Sequence, residues 1–475
     1  MSSAGISFGG LASGLDTKAI ISALVSIERR PISALETKKS SLGKQKSLYG
    51  DLRSLLDKLE TTAKALKTTN DFLKMKAVSD DENVVTVEAS NNAEPGTYSL
   101  RVVALAQAQV NATTGSASPT ASLGGPVDFF INSGGNQTLI SVADPNLNSI
   151  AAAINEAADN PSTDTGVRAE VVDTGNTANG GANRYQLVLR STTPGVENGF
   201  TVALDDPNGP PAFNAVINQL ASNTLSQAQD AQLLINGTPQ GTGGITVYRP
   251  TNQVSDLWPG ITLDLKSVPS PNKNITITVS TDAEATSKKV QEFVDAYNKV
   301  VDFFTEQNVL TAEGKAKGPL FGDSTLRSMR SSLRGIVGAS VGDTGNSAYQ
   351  LLAQAGITSD TAGKLTFNST KFAESLADDE EAVTRLFAGG TNGIANKLIG
   401  QIDSYTDSVE GLIKTRSEAF DRQVKDTQTR IDQAERRVTL YQQQLETKYS
   451  NLESLLTRLQ GQGTSLSGLN NLNRR

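Results

Sequence analysis

Val424, Ile431, Val438, Leu445, Leu452 and Leu459 follow one another at an unbroken spacing of seven, and this row constrains the chain more than any other feature. A helix turns once in about 3.6 residues, so a period of seven keeps an apolar stripe narrow and commits the segment to a coiled coil or bundle. The companion row, Phe420, Thr427, Ala434, Tyr441, Lys448 and Leu455, is half polar. The N-terminal end repeats the pattern. Leu35, Leu42, Tyr49, Leu56 and Ala63 recur every seven residues, and Leu52, Leu59, Leu66 and Leu73 lie three further on. Lys38 and Gln45 occupy the second row in its first half, so the seam is expected to be well packed only from Tyr49 to Leu73. Upstream, Ile20, Ile21, Leu24 and Ile27 predict a helix of about four turns, capped by Asp16 or Thr17 and broken near Pro31.

Both arms could pack on each other within one chain. The reading favoured here is that other subunits finish these seams, because a long helix with so few apolar residues buries too little surface to stand alone.

Composition removes much of the usual chemistry. The 475 residues include no His and no Cys, which excludes an imidazole base, a thiolate nucleophile and Cys or His metal sites. Apolar residues make up 37% and aromatics 5%, lean for large enzyme cores. Residues 1–77 and 406–475 together hold 24 basic and 16 acidic side chains, against 19 and 34 for 78–405. The basic residues alternate with acidic ones on the periodic frame, and no basic run is interleaved with aromatics, so nucleic acid is not expected as a partner. No stretch is apolar enough for a membrane span and Met1 to Leu15 lacks a secretory signal pattern, so no membrane or Sec address is expected.

After Lys76 the period changes to two. Val85 to Ala89, Tyr98 to Val102, Gln232 to Ile235, Ile261 to Leu265 and Ile275 to Val279 read as half-buried strands, and Pro95-Gly96 and Asn236-Gly237 as turns. Between them lie expected strands at Val127 to Ile131, Val167 to Val172, Tyr185 to Leu189 and Phe200 to Leu204, and a short helix around Leu147 to Ile154. From Asp282 to Gln307 the helical period returns. Shorter helices are expected at about Ser324 to Ile336, Ser347 to Gln354, Thr370 to Leu386 and Asn392 to Tyr405, with a hairpin at Ile357 to Phe367.

The expected fold is α+β: long coiled-coil-like helical termini and a helical stem carrying two β-rich head domains, one inserted in the other. Residues 1–40 would form a flexible N-terminal leg, 41–77 and 281–405 the stem, and 406–475 the C-terminal coiled-coil leg. The first head domain would take 78–108 and 229–280, and the inserted one 109–228.

Adjacent acids such as Asp80-Asp81, Asp205-Asp206 and the run Asp378 to Glu381 read as turn and helix-start charges rather than a catalytic pair. No dinucleotide, P-loop, nucleophile-elbow or EF-hand pattern is present. The chain is therefore not expected to be an enzyme, and no cofactor or metal is expected.

Several short motifs in a fixed order carry more information. Gly10-Leu11-Ala12-Ser13-Gly14-Leu15-Asp16-Thr17, then Ile20-Ile21, Leu24, Glu28 and Pro31, opens the series. Thr97-Tyr98, Val103 to Gln107, Asn236-Gly237, Thr251-Asn252 with Val254-Ser255-Asp256, and Phe293 to Asn298 follow. Leu320-Phe321-Gly322-Asp323 and Gly356-Ile357 with Gly363-Lys364-Leu365 complete it. In this order, with heptads at both ends, the chain resembles the bacterial flagellar hook-associated protein 2 family, the FliD-type filament caps, except across about Asn111 to Gln227.

That resemblance implies a ring of five subunits at the distal tip of the flagellum, which retains exported flagellin and promotes its folding and polymerisation. It also implies export by the flagellar type III system without a cleaved signal peptide, and contacts with flagellin and hook–filament junction proteins. Subunit and filament contacts are expected on Leu11, Leu15, Ile20, Leu24, Leu35, Leu42, Tyr49, Leu52, Leu56 and Leu59. On the C-terminal arm they are expected on Val424, Ile431, Val438, Leu445, Leu452 and Leu459. A cytoplasmic export chaperone is implied near the C-terminus, with Leu466, Leu469 and Leu472 as candidates. The alternatives are a tip adhesin for host mucin or glycan, or another axial protein such as a junction protein or flagellin.

Overall fold

The computed structural model describes residues 14, 16–237, 243–269, 273–312, 314, 316–341 and 349–472, without the side chains of 466–472. The chain divides into two compact units, one made of residues 1–72 and 284–475 and the other of 73–283. The α+β class with long helical ends stands as expected. Among the described residues, no helix is long and apolar enough to cross a membrane.

The helical unit is built on two long helices, Thr17–Lys64 and Leu412–Leu472, here called the N-terminal and C-terminal helices. Asp16 caps the first by accepting from the Ala19 amide at 2.9 Å. The break anticipated near Pro31 does not occur, because the helix runs through that proline from Thr17 to Lys64. Pro31 sits on the exposed side and its missing amide costs one hydrogen bond. The next residue, Ile32, is buried in a cluster with Ile431, Ala434 and Val438, and that packing holds the two halves in line. A single continuous helix thus crosses residue 40, where a flexible segment was expected to end.

The expected Thr370 to Leu386 helix is two helices, Ser369–Asp378 and Glu380–Ala388. Asp379 lies between them, and its carboxylate accepts from the Ala382 amide to start the second, while Glu380 and Glu381 fill that helix's first turn. The expected Ser347 to Gln354 helix is absent where the chain is described. Residues 352–356 are turns, with the Gln354 side chain accepting from the Gln350 and Leu351 amides at 2.7 and 2.8 Å. The other expected helices are present as Ala283–Gln307, Ser324–Gly338 and Ile394–Thr406.

An aromatic cluster centres this unit. Phe72 stacks on Phe387 at 4.9 Å, and Phe293 and Phe372 meet that pair edge-on at 6.5 and 6.3 Å. Edge-to-face and offset rings are the favoured arrangement for aromatic quadrupoles, so a few rings order the short Thr69–Phe72 helix against three others.

The second unit is antiparallel β-structure with two cores. In the first, five strands lie in the order Met75–Ser79, Ile275–Thr281, Gly96–Ala104, Ala231–Ile235, Ile245–Arg249, with a three-stranded sheet of Gln253–Trp258, Ile261–Leu265 and Val85–Ala89. Alternation puts Leu100, Val102, Leu233, Leu263, Ile275 and Ile277 in one core. Gly96–Ala104 and Ala231–Ile235 pair side by side, and the chain between them builds the second core. That core comprises a four-stranded sheet and a three-stranded sheet, with the helices Leu147–Asp159 and Pro211–Ser222. Gln107 and Gln229 exchange both backbone hydrogen bonds, 2.8 and 3.0 Å, and close the neck of this second region.

Candidate assembly interface on the terminal helices

The two long helices run antiparallel, and their facing residues fix the register. Lys46 pairs with Asp421, and Lys39 donates to Gln428, partners whose numbers both add to 467. Tyr49 meets Phe420 at 5.7 Å between ring centroids, and Arg437 reaches Glu28 at 3.4 Å. Polar pairs therefore alternate with apolar layers along the seam. Exposed pairs of this kind contribute little energy, about 0–1 kcal/mol each, but mismatching them penalises a slipped register.

Leu42, Tyr49, Leu52, Leu56 and Leu59 are buried, while Ile20, Leu24 and Leu35 are half-buried. Leu52, Leu56 and Leu59 lie in the same unit as the Ile394–Thr406 helix, whose Leu398 and Ile402 are also buried. On the C-terminal helix Ile431, Val438 and Leu445 are buried, and Val424 is half-buried. Phe420, Thr427 and Ala434 of the weaker row are buried too, so the seam is read from both rows. Farther on, Leu452, Leu455 and Leu459 are 42%, 55% and 54% exposed. Leu11 and Leu15 lie outside the described residues, and so do the side chains of Leu466, Leu469 and Leu472.

One junction was not foreseen from the sequence. Asp323 caps the Ser324–Gly338 helix by accepting from the Thr325 and Leu326 amides at 2.8 and 3.2 Å, and its other oxygen meets Arg416 at 2.9 Å. The Arg416 guanidinium lies 5.8 Å from the Phe420 ring, which in turn faces Tyr49. Three elements are thus tied at one point. Burial opposes the Asp323 charge, yet the Leu326 and Thr325 amides and the Arg416 charge hold its carboxyl below the usual range. Burial pushes the Tyr49 hydroxyl up, and so keeps it neutral. Elsewhere on the N-terminal helix's flank, burial and the neighbouring Glu60 carboxylate raise Asp403.

The motif residues prove to be clamps. Asn252 accepts from the Ala106 amide at 2.7 Å and donates to its carbonyl at 3.0 Å. Asn298 treats Leu365 the same way, at 2.8 Å in both directions. Each carboxamide takes the place of one strand partner, which a shorter, longer or charged side chain could not do. Asn236 adopts φ +53°, a backbone conformation open to Asn and Gly but costly for most residues, so the turn restricts what can stand there.

Two family models match the chain. Residues 13–109 match "Flagellar hook-associated protein 2 N-terminus" and residues 228–461 match "Flagellar hook-associated protein 2 C-terminus". This chain belongs to the flagellar hook-associated protein 2 family. The two matches flank the second β core and take in the N-terminal helix, the C-terminal helix as far as residue 461, and every clamp above. Among curated relatives, the flagellar hook-associated protein 2 of Escherichia coli K12 is 28% identical over 483 residues, 98% of each chain. The B-type flagellar hook-associated protein 2 of Pseudomonas aeruginosa is 28% identical over 401 residues, 81% of this chain and 80% of the relative. The crystal structure of the D1-D2-D3 domains of the flagellar cap protein FliD from Escherichia coli superposes with a TM-score of 0.59 at 26% identity, covering 79% of this chain and 99% of that one. Hook-associated protein 2 is a structural flagellar family, and the chain is not an enzyme.

Proposed function

We propose that this chain forms the cap at the distal end of the flagellum, as a ring of five of its own copies, where it retains exported flagellin and promotes its folding and polymerisation. The observation that carries this reading is the joint match of both family models, N-terminal and C-terminal in order, across the paired helices and the first β core. The likeness to a solved flagellar cap protein over most of the chain supports it. The chain reaches the tip through the flagellar type III system without a cleaved signal peptide, and meets flagellin and the junction proteins there.

The helix pair is the leg by which the cap holds the filament. Most of its seam is occupied by its own chain, so contacts with neighbouring subunits fall to the outer faces and to the stretch from Leu452 onward. Contacts that are individually weak and repeated around a ring give firm holding in sum while letting each one release in turn. Leu466, Leu469 and Leu472 are the proposed contacts for a cytoplasmic export chaperone.

Deleting the coding sequence in its source bacterium tests the central claim. The expected result is monomeric flagellin in the medium and hooks without filaments, restored by the full chain and not by residues 78–405. Normal filaments in the deletion strain would overturn it.

A further inference from the structure

The sequence contains five Asn-Gly pairs: Asn179-Gly180, Asn198-Gly199, Asn208-Gly209, Asn236-Gly237 and Asn392-Gly393. Such a pair carries a chemistry of its own. The backbone nitrogen of the glycine, once deprotonated, can attack the carboxamide carbon of the asparagine, and a residue without a Cβ leaves that path open. The fold decides which pair is free to react. Gly199, Gly209 and Gly393 each donate their amide to a turn carbonyl at 3.1 Å, on Val196, Asp206 and Gly389. Gly180 is wound into the one-turn helix Ala178–Gly181, whose own hydrogen bonds hold its peptide planes. The Gly237 amide, by contrast, has no acceptor among the described residues.

Asn236-Gly237 follows the strand Ala231–Ile235, just beyond the Ile235 and Ile245 pair that ends its ladder with Ile245–Arg249. The dipeptide is anchored on both sides. Asn236 donates its amide to the Ser99 carbonyl at 3.0 Å, and the Gly237 carbonyl accepts from the Asn274 carboxamide at 2.6 Å. The peptide plane between these anchors is unheld, so it can rotate about the line joining the two Cα atoms while both bonds stay made. The Asn236 side chain is exposed, and its carboxamide makes no hydrogen bond among the described residues. The turn also keeps this pair in place. The φ of +53° at 236 suits Asn or Gly, and a Cβ on residue 237 would collide with the Leu234 side chain.

We propose that Asn236 is a site of spontaneous deamidation in the folded chain. The Gly237 nitrogen gives its proton to hydroxide and bonds to Asn236 Cγ, the Cγ–Nδ2 bond breaks, and ammonia leaves with a proton from water. Water then opens the five-membered imide at one of its two carbonyls. Opening at Cγ gives aspartate with the original backbone, and opening at the main-chain carbonyl gives isoaspartate, in which the chain runs through Cγ. Isoaspartate puts one more backbone atom between the Ser99 and Asn274 anchors, so the end of the hairpin loosens. The inference concerns the chain by itself and is independent of the cap reading.

The purified full chain is incubated at mildly alkaline pH, folded and in urea, and the five pairs are followed by peptide mass spectrometry. Deamidation registers as a mass gain of about 1 Da, and isoaspartate is confirmed by labelling with isoaspartyl methyltransferase. In the folded chain Asn236 should react at least about fivefold faster than each of the other four, and in urea that lead should vanish. Asn236→Gly, which keeps the turn conformation, should remove most of the isoaspartate label. A folded chain in which another pair reacts as fast as Asn236 would overturn the proposal. An equal lead in urea would overturn it too, because the sequence and not the fold would then select the site.

Discussion

Ile431 to Leu445 and Leu452 to Leu459 belong to one helix and one sevenfold series, yet the first stretch is buried and the second is about half exposed. The residues differ little in kind. What differs is what lies opposite, because the N-terminal helix faces the C-terminal helix only as far as Thr17. A heptad therefore states where a seam runs and says nothing of whether it is filled from the same chain or another. The two stretches should respond to substitution in opposite ways.

The largest effect is expected in the filled part. Leu59→Asp places a carboxylate at a fully buried position and should cost more than ~4 kcal/mol. Leu52→Ala leaves a cavity instead, at a cost of about 3 kcal/mol. Thermal or urea unfolding of the purified chain, followed by helical circular dichroism, measures both. A loss under about 1 kcal/mol for either would mean that the seam can open without unfolding the unit.

Next comes the junction at Asp323. Asp323→Ala removes a helix cap and leaves Arg416 without its partner, so a loss of about 2 kcal/mol is expected. The carboxyl is held below its ordinary value in the fold, so its contribution is complete above about pH 4, its unfolded range, and is lost as pH falls through the lower folded value. Wild type should therefore lose stability more steeply than Asp323→Asn as the pH falls below about 4. Parallel curves would show that the ion pair is not the titrating link.

Pro31 offers a smaller and opposite effect. Pro31→Ala restores one amide to a helix that already runs straight through the position, and a gain of about 1 kcal/mol is expected in the same unfolding measurement. A loss would show that the ring makes a contact the helix needs.

The legibility of this molecule followed the range of the signal. Sevenfold and twofold periods are local and repeated, so the long helices, the amphipathic Ala283–Gln307 helix and the strands from Val85 to Val279 could be read off directly. Short elements could not. The edge strand Ile245–Arg249 and the Gln253–Trp258 strand have little alternation, because one is largely exposed and the other is interrupted by an irregular register. Pro31 and Asp379 mislead in opposite directions. A local rule stops a helix at the proline, where tertiary packing carries it on, and the same pattern carries a helix through Asp379, where a side-chain cap starts a new one. The clamps of Asn252 on Ala106 and Asn298 on Leu365 span 146 and 67 residues. Each rests on one carboxamide, so no periodicity reveals it, although both asparagines stood in the short motifs that carried the family resemblance.

The smallest effect on stability should accompany a large one on assembly. Leu455 is 55% exposed and belongs to the weaker row, so Leu455→Asp removes almost no buried surface and should leave the unfolding midpoint unchanged within error. If neighbouring subunits use this face, a carboxylate there must be desolvated at each contact around the ring, and penalties too small to see in one copy add up over the assembly. Cells carrying Leu455→Asp should then release monomeric flagellin while the purified chain melts like wild type. Full-length filaments from such cells would show that the exposed leucines are not a contact surface, and the open end of the seam would differ from the closed one only in lacking a partner.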